Sequence, residues 1–176
     1  GSFGRVNDIS TILKAAVLVE KLEGSIGFAI IGTGERLNSY RDYVKTSGIN
    51  NVVFINNVGR EEARNFLFHA DICVHAFNKE KLWEMALSSK IFDYFLVKKP
   101  IRFCGNGEIK KHSEEAGAGL CGEPQDPEGL ARAIMDLHSQ KGELYNMGAR
   151  GERFVKERYP RETIYATLRD RLASVA

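Results

Sequence analysis

The chain has no apolar run approaching the roughly 20 residues that a membrane span requires, no low-complexity linker and no short-period repeat. It has no excess of one charge. Its 25 Lys and Arg stand against 23 Asp and Glu, interleaved along the chain, and a formal net charge of +2 gives no reason to expect a nucleic-acid partner. Cysteine is scarce and odd in number: Cys73, Cys104 and Cys121 each lie in or beside an apolar, strand-like stretch. That placement reads as buried reduced thiols rather than a disulfide, and it favours the cytoplasm. No signal-peptide layout is visible. No His or Cys pair has zinc-ligand spacing, and no acid cluster suits a magnesium ion on phosphates, so no metal is expected. Neither a G-x-S-x-G elbow nor a Walker A sequence occurs.

What is present is the composition of a soluble globular protein, with 43% hydrophobic and 27% charged residues. At 176 residues it reads as one domain, 1–176, large enough for a full core. Helical and strand patterns alternate throughout. Ile9, Ile12, Leu13, Ala16, Val17 and Leu22 recur at helical spacing behind Asn7 or Asp8 as N-cap. Strands are expected over 26–31, 52–55, 71–76, 101–104 and 119–121. Helices are expected over 35–46, 60–69, 89–97, 108–116, 127–138, 144–157 and 161–173. The run over 26–31 is apolar on both faces, as a central parallel strand requires. The alternation predicts an α/β fold, a Rossmann-like open parallel β-sheet with helices on both faces. Such sheets bind ligands at the carboxyl ends of their strands.

The stretch Ser88-Ser89-Lys90-Ile91-Phe92-Asp93-Tyr94 carries the strongest chemical signal. Two hydroxyl residues open a helix, and Lys90 stands in its first turn, where the helix dipole alone would prefer an acid. A helix start offers free N–H groups to a phosphate. Asp93, three residues on, shares nearly the same face as Lys90. The pair reads either as an intrahelical ion pair worth a few tenths of a kcal/mol or as a phosphate-binding lysine beside a ribose-binding acid. Gly4-Arg5 at a turn before the first helix is either a surface arginine or a guanidinium reaching a diphosphate. Gly32-Thr33-Gly34 lacks the third glycine of a dinucleotide fingerprint, since Leu37 stands there. His75, at the end of a predicted strand, reads as structural in the first instance. His69, His112 and His138 read as helix-surface residues.

Taken in order, Gly1-Ser2-Phe3-Gly4-Arg5, Phe28-Ala29-Ile30-Ile31-Gly32-Thr33-Gly34, Val58-Gly59-Arg60-Glu61-Glu62, Ala70-Asp71-Ile72-Cys73-Val74, Ser89-Lys90-Ile91-Phe92-Asp93-Tyr94 with Lys99-Pro100, and Asp126-Pro127 form a pattern. It resembles the C-terminal, donor-binding domain of GT-B glycosyltransferases of the family 4 type, one half of a GT-B fold. Within that group it is most similar to bacterial surface-polysaccharide enzymes with a proline-serine-lysine motif. The resemblance implies a nucleoside-diphosphate sugar, UDP- or GDP-linked, as the ligand, with no cofactor. Ser89, Lys90, Gly4 and Arg5 would hold the diphosphate, Asp93 the ribose, and the loop Asn56-Asn57-Val58 the base. Lys90 and Arg5 would also stabilise the leaving diphosphate. Three departures stand out. The family's two acids, eight positions apart, would fall at Met85 and Asp93, with Glu84 one place off. Ser88 replaces the motif's proline, and Lys98 replaces a glycine.

The resemblance also implies an N-terminal acceptor domain as partner, through which any membrane contact would run, and no transfer by the present chain alone. A sugar-nucleotide 2-epimerase-like enzyme and a non-catalytic donor-binding subunit of a split glycosyltransferase are the alternatives. The last helix is expected to expose an apolar stripe of Ile164, Tyr165, Leu168 and Leu172 or to pack it on its own sheet.

Overall fold

The computed structural model describes residues 1–174. The chain runs α1 (Ile9–Leu22), β1 (Phe28–Ile31), α2 (Leu37–Ser47), β2 (Val52–Ile55), α3 (Arg60–His69), β3 (Cys73–Ala76), α4 (Lys81–Glu84), α5 (Lys90–Leu96), β4 (Ile101–Cys104), α6 (Glu108–Ala116), β5 (Gly119–Gly122), α7 (Pro127–Ser139), α8 (Lys141–Arg158) and α9 (Arg161–Ala173). The expected alternation is present, with α4 added as a single turn too short to show a period. Of the two candidate caps for α1 the structure uses Asp8. Its carboxylate accepts from the Thr11 N–H at 3.1 Å and the Thr11 hydroxyl at 2.6 Å. Asp126 caps α7 in the same way, accepting from the Gly129 N–H at 2.8 Å ahead of a proline in the first turn. Caps of this kind stabilise a helix by about 1 kcal/mol each.

Every strand pair is parallel. Among the described residues, however, the single open sheet takes the form of two pieces, β1-β2 and β3-β4-β5. Residues 1–8 lie between them and pair with both. Phe3 N–H donates to the Thr33 carbonyl at 2.9 Å, Asp8 N–H to Ala76 at 2.9 Å, and Asn78 N–H to Val6 at 3.0 Å. These isolated bonds knit the carboxyl ends of β1 and β3 together without making a strand. Helices cover both sides. One core joins Leu13, Ala16 and Val19 of α1 to Leu130 and Ile134 of α7 over the sheet. The other joins Ile91 and Phe95 of α5 to Ile101 and Phe103 of β4 and Ile109 of α6. All four residues of β4 are buried, as a central parallel strand demands.

Helix α5 ends on a Schellman turn: Lys98 N–H donates to the Phe95 carbonyl at 2.9 Å and Lys99 N–H to Tyr94 at 2.9 Å. Lys98, standing where the family pattern has glycine, takes φ 58° there. A Cβ in that region costs about 1 kcal/mol. Helix α8 packs on this turn through glycines. A Cβ on Gly148 would lie 2.0 Å from the Lys98 carbonyl oxygen, and one on Gly151 would lie 2.7 Å from Cδ1 of Phe95.

Cys73 and Cys104 are buried and Cys121 is half-buried, all three as free thiols. Burial pushes the Cys73 thiol up to about 12 and the other two to about 11, so none is a ready nucleophile. His69 is exposed and His138 half-buried, but His112 is not the surface residue its helix suggested. It is buried under α8, its Nδ1 2.8 Å from the Glu108 carbonyl and its Nε2 2.6 Å from the Tyr159 hydroxyl. Helix α9 buries none of its residues. Ile164, Tyr165, Leu168 and Leu172 are 48%, 60%, 53% and 64% exposed, so the stripe does not pack on the sheet. Among the described residues no helix is long and apolar enough to cross a membrane.

Candidate functional site

The loops at the carboxyl ends of the strands form one rim. The Gly32-Thr33-Gly34 turn after β1 admits the N-terminal segment at backbone contact: a Cβ on Gly34 would lie 2.7 Å from the Phe3 nitrogen. That close approach is the purpose of these glycines here, and a dinucleotide fingerprint is not needed to explain them. Gly32 N–H donates to the Ile55 carbonyl at 3.0 Å, so the loop Asn56-Asn57-Val58 starts beside the same turn. Asn56 Oδ1 accepts from Arg41 at 3.3 Å; Asn57 is exposed and Val58 half-buried.

Lys90 opens α5 and is half-buried. Its side chain crosses to the N-terminal segment: a Cβ on Gly1 would lie 3.3 Å from Lys90 Cε and 3.8 Å from Nζ. Burial and then the Lys90 charge hold the Gly1 amino group below its ordinary pKa. Among the described residues Lys90 has no acidic partner. Asp93 is exposed and makes no ion pair with it, so the intrahelical pair considered from the sequence does not form. Ser89, also exposed, precedes the helix with φ −57° and ψ −22°, and its side chain caps nothing. The N–H groups of Ser89 and Lys90 have no protein acceptor among the described residues.

Gly4 stands in open space and Arg5 is exposed beside it. Their loop is fastened to the loop after β3, where the Asn78 side-chain amide donates to the Arg5 carbonyl. The structure therefore brings Gly4, Arg5 and Lys90 to the N-terminal segment between the two sheet pieces. Asn57 and Val58 stand beyond the glycine turn at the end of β2, and Asp93 lies farther along α5. Met85 is 74% exposed just after α4, and Glu84 is the last residue of that turn.

Asn78 and the environment of His75 were not legible in the sequence. His75, on β3, is 6% exposed. Its ring stacks on Phe103 at 6.0 Å and meets Phe77 edge-on at 4.8 Å. The buried Nε2 has no hydrogen-bond partner. Burial first, then Lys90 and the Gly1 amino group, push its pKa down from 6.5 to about 3. It is therefore neutral throughout the physiological range. Unfolded chains bind a proton at this residue below about pH 6.5 and folded ones do not, so stability is full above pH 6.5 and falls as pH drops toward 3. From pH 7 to 5 the loss is about 2 kcal/mol. Urea unfolding of wild type and His75→Leu at both pH values measures it, the variant losing that much less.

Among the described residues no three metal-ligating side chains cluster. The rim carries Lys90, Arg5 and two unpaired backbone donors, groups suited to an anion.

A family model described as "Glycosyl transferases group 1" matches residues 1–140. No curated protein is detectably similar in sequence. Among solved structures, Anabaena Alr3699/HepE in complex with UDP-glucose aligns over 99% of this chain with a TM-score of 0.84 and 16% identity. A point mutant of S. aureus TarM, in complex with fondaparinux, alpha-GlcNAc-glycerol and UDP, aligns over 97% with a TM-score of 0.82 and 16% identity. The C-terminal domain of a group 1 glycosyl transferase family protein (LpcC) from Francisella tularensis aligns over 90% with a TM-score of 0.78 and 19% identity. The chain spans 48% of the HepE chain, 34% of the TarM chain and 83% of the isolated LpcC domain. At these identities the likeness is one of fold, the α/β unit of GT-B glycosyltransferases.

Proposed function

Because the chain belongs to the group 1 glycosyl transferases, we propose that it is the donor-binding half of a two-domain glycosyltransferase and holds a nucleoside-diphosphate sugar. The observation that carries this reading is Lys90, which extends without an acidic partner toward the N-terminal segment that bears Gly4 and Arg5. Two unpaired backbone N–H groups stand at its foot. Such a cluster suits a diphosphate, which brings several acceptor oxygens and negative charge to one place. The UDP and UDP-glucose complexes named for similar folds support a uridine donor. A similar fold in WaaG, a glycosyltransferase involved in lipopolysaccharide biosynthesis, supports a surface-polysaccharide product.

In this reading the chemistry is electrostatic. As the glycosidic bond of the donor breaks, negative charge grows on the departing diphosphate. Lys90, Arg5 and the N–H groups of Ser89 and Lys90 stabilise it, and no metal is required. Asp93 accepts from the ribose hydroxyls, and Asn57 and Val58 bind the base through their backbone. The acceptor hydroxyl comes from a separate N-terminal domain, which closes over the donor to align the reacting atoms and carries any membrane contact. This domain alone binds donor and transfers nothing. Its free cysteines fit a reducing cytoplasm.

A thermal-shift series with UDP, GDP, ADP, their sugars and the corresponding nucleosides tests the reading. At least one diphosphate should raise the melting temperature at concentrations where its nucleoside does not. No shift from any diphosphate would overturn it.

A further inference from the structure

We propose that His75 is a ligand-binding residue of this site, its imidazole donating a hydrogen bond from Nε2 to a phosphate oxygen of the bound nucleoside diphosphate. The inference rests on the donor-site reading and adds to it a group that the family pattern did not supply. Its basis is an unmet bond. Nε2 is buried and has no partner, and a buried polar atom left unpaired costs about 1–3 kcal/mol. Packing gives no reason for that cost. The ring lies between Phe103 and Phe77, where an apolar side chain of similar volume would serve the core better.

Position supplies the reason. His75 lies near the carboxyl end of β3, one residue before the strand's last residue, and Asp8 N–H bonds that last residue's carbonyl. The charged side chain that acts on the ring is the Lys90 ammonium from α5. That ammonium carries positive charge and donates hydrogen bonds but accepts none. A ligand completing Nε2 from that side must bring an acceptor and negative charge, which are the properties of a phosphate. Burial first, and then the Lys90 charge, keep the imidazole neutral, so it contributes a directed N–H rather than another charge. Lys90 attracts the diphosphate from a distance, and His75 fixes one of its oxygens.

Calorimetric titration of UDP, GDP and ADP, each beside its nucleoside, tests this with wild type, His75→Leu, His75→Gln and Lys90→Ala. Leucine should weaken the diphosphate that wild type prefers by about tenfold while leaving its nucleoside within about twofold. Glutamine, which keeps a donor, should recover most of the loss. His75→Leu should be at least as stable to urea as wild type at pH 7, since it removes an orphaned polar atom. In wild-type protein the His75 imidazole nitrogen resonances should shift on adding the diphosphate and not on adding the nucleoside. This last measurement needs no variant to fold.

If Lys90→Ala weakens diphosphate binding and His75→Leu does not, the His75 assignment fails and the donor site stands. If wild type binds none of the three diphosphates, or Lys90→Ala binds them as well as wild type, the donor site itself fails and this inference with it. Unmoved imidazole resonances in a saturated complex also overturn the assignment.

Discussion

Replacing Lys90 by alanine is expected to lower affinity for the preferred nucleoside diphosphate by about tenfold to a hundredfold. Affinity for the matching nucleoside should change by less than about twofold. The size follows from what is removed: one charge-assisted hydrogen bond to a polyanion, contributing about 1.5–3 kcal/mol when partly buried. Lys90 is half-buried, and no acid shares its charge among the described residues. Its attraction for an incoming anion is therefore undivided. Stability should not suffer. Lys90 makes no ion pair among the described residues, so alanine breaks none. Calorimetric titration at two salt concentrations checks both points, the wild-type affinity falling more steeply with salt than that of the variant. Equal losses for diphosphate and nucleoside would remove Lys90 from the phosphate site.

Phe103→Ala is expected to cost about 3–5 kcal/mol, a large share of a typical domain's stability of about 5–15 kcal/mol. Phe103 is fully buried on β4, the middle strand of its three-stranded piece. It meets Phe77 edge-on at 5.7 Å and carries the His75 ring on its face. Adjacent strands hold the backbone around it by parallel pairing on both sides, so the cavity cannot collapse fully. Urea unfolding should show a lower midpoint at unchanged slope. Because Phe103 supports His75, the folded fraction of the variant should also bind diphosphate less tightly. A loss under about 1 kcal/mol would mean that the core around β4 is looser than described.

The fold was legible because burial on both faces writes an apolar run into a parallel strand. Even β4, with a charged residue in four, reads correctly, since Arg102 turns its terminal nitrogens onto backbone carbonyls while its buried Nε stays unpaired. Those nitrogens donate to the Leu120 carbonyl at 3.0 Å and to the carbonyls of Phe103 and Gly129 at 3.4 Å. The Lys98 turn was legible as an exception: glycine was the expected residue, and lysine takes the left-handed conformation in its place. The head of α5 was legible through a lysine standing where the helix dipole disfavours it.

The rest depends on contacts distant in sequence. His112 is hidden by Tyr159, 47 residues away, and a nine-residue helix cannot announce that its second face will be covered. The division of the sheet follows from where residues 1–8 pair, which no local pattern encodes. For His75 the sequence offered only its place near a strand end. The missing bond at Nε2 becomes visible when every neighbour has been placed.

Gly148 and Gly151 bring the backbone of α8 onto the Lys98 carbonyl and the Phe95 ring, leaving no room for even a methyl group. A carbonyl and an aromatic ring do not compress, so α5 cannot slide along α8 without climbing over them. The two helices behave as one plate, and bending in this part of the molecule has to occur outside it. Between α8 and α9 the chain passes through Tyr159 and Pro160, and beyond that point no side chain of α9 is buried. Swinging α9 about this joint costs little packing and leaves the lysine end of α5 in place.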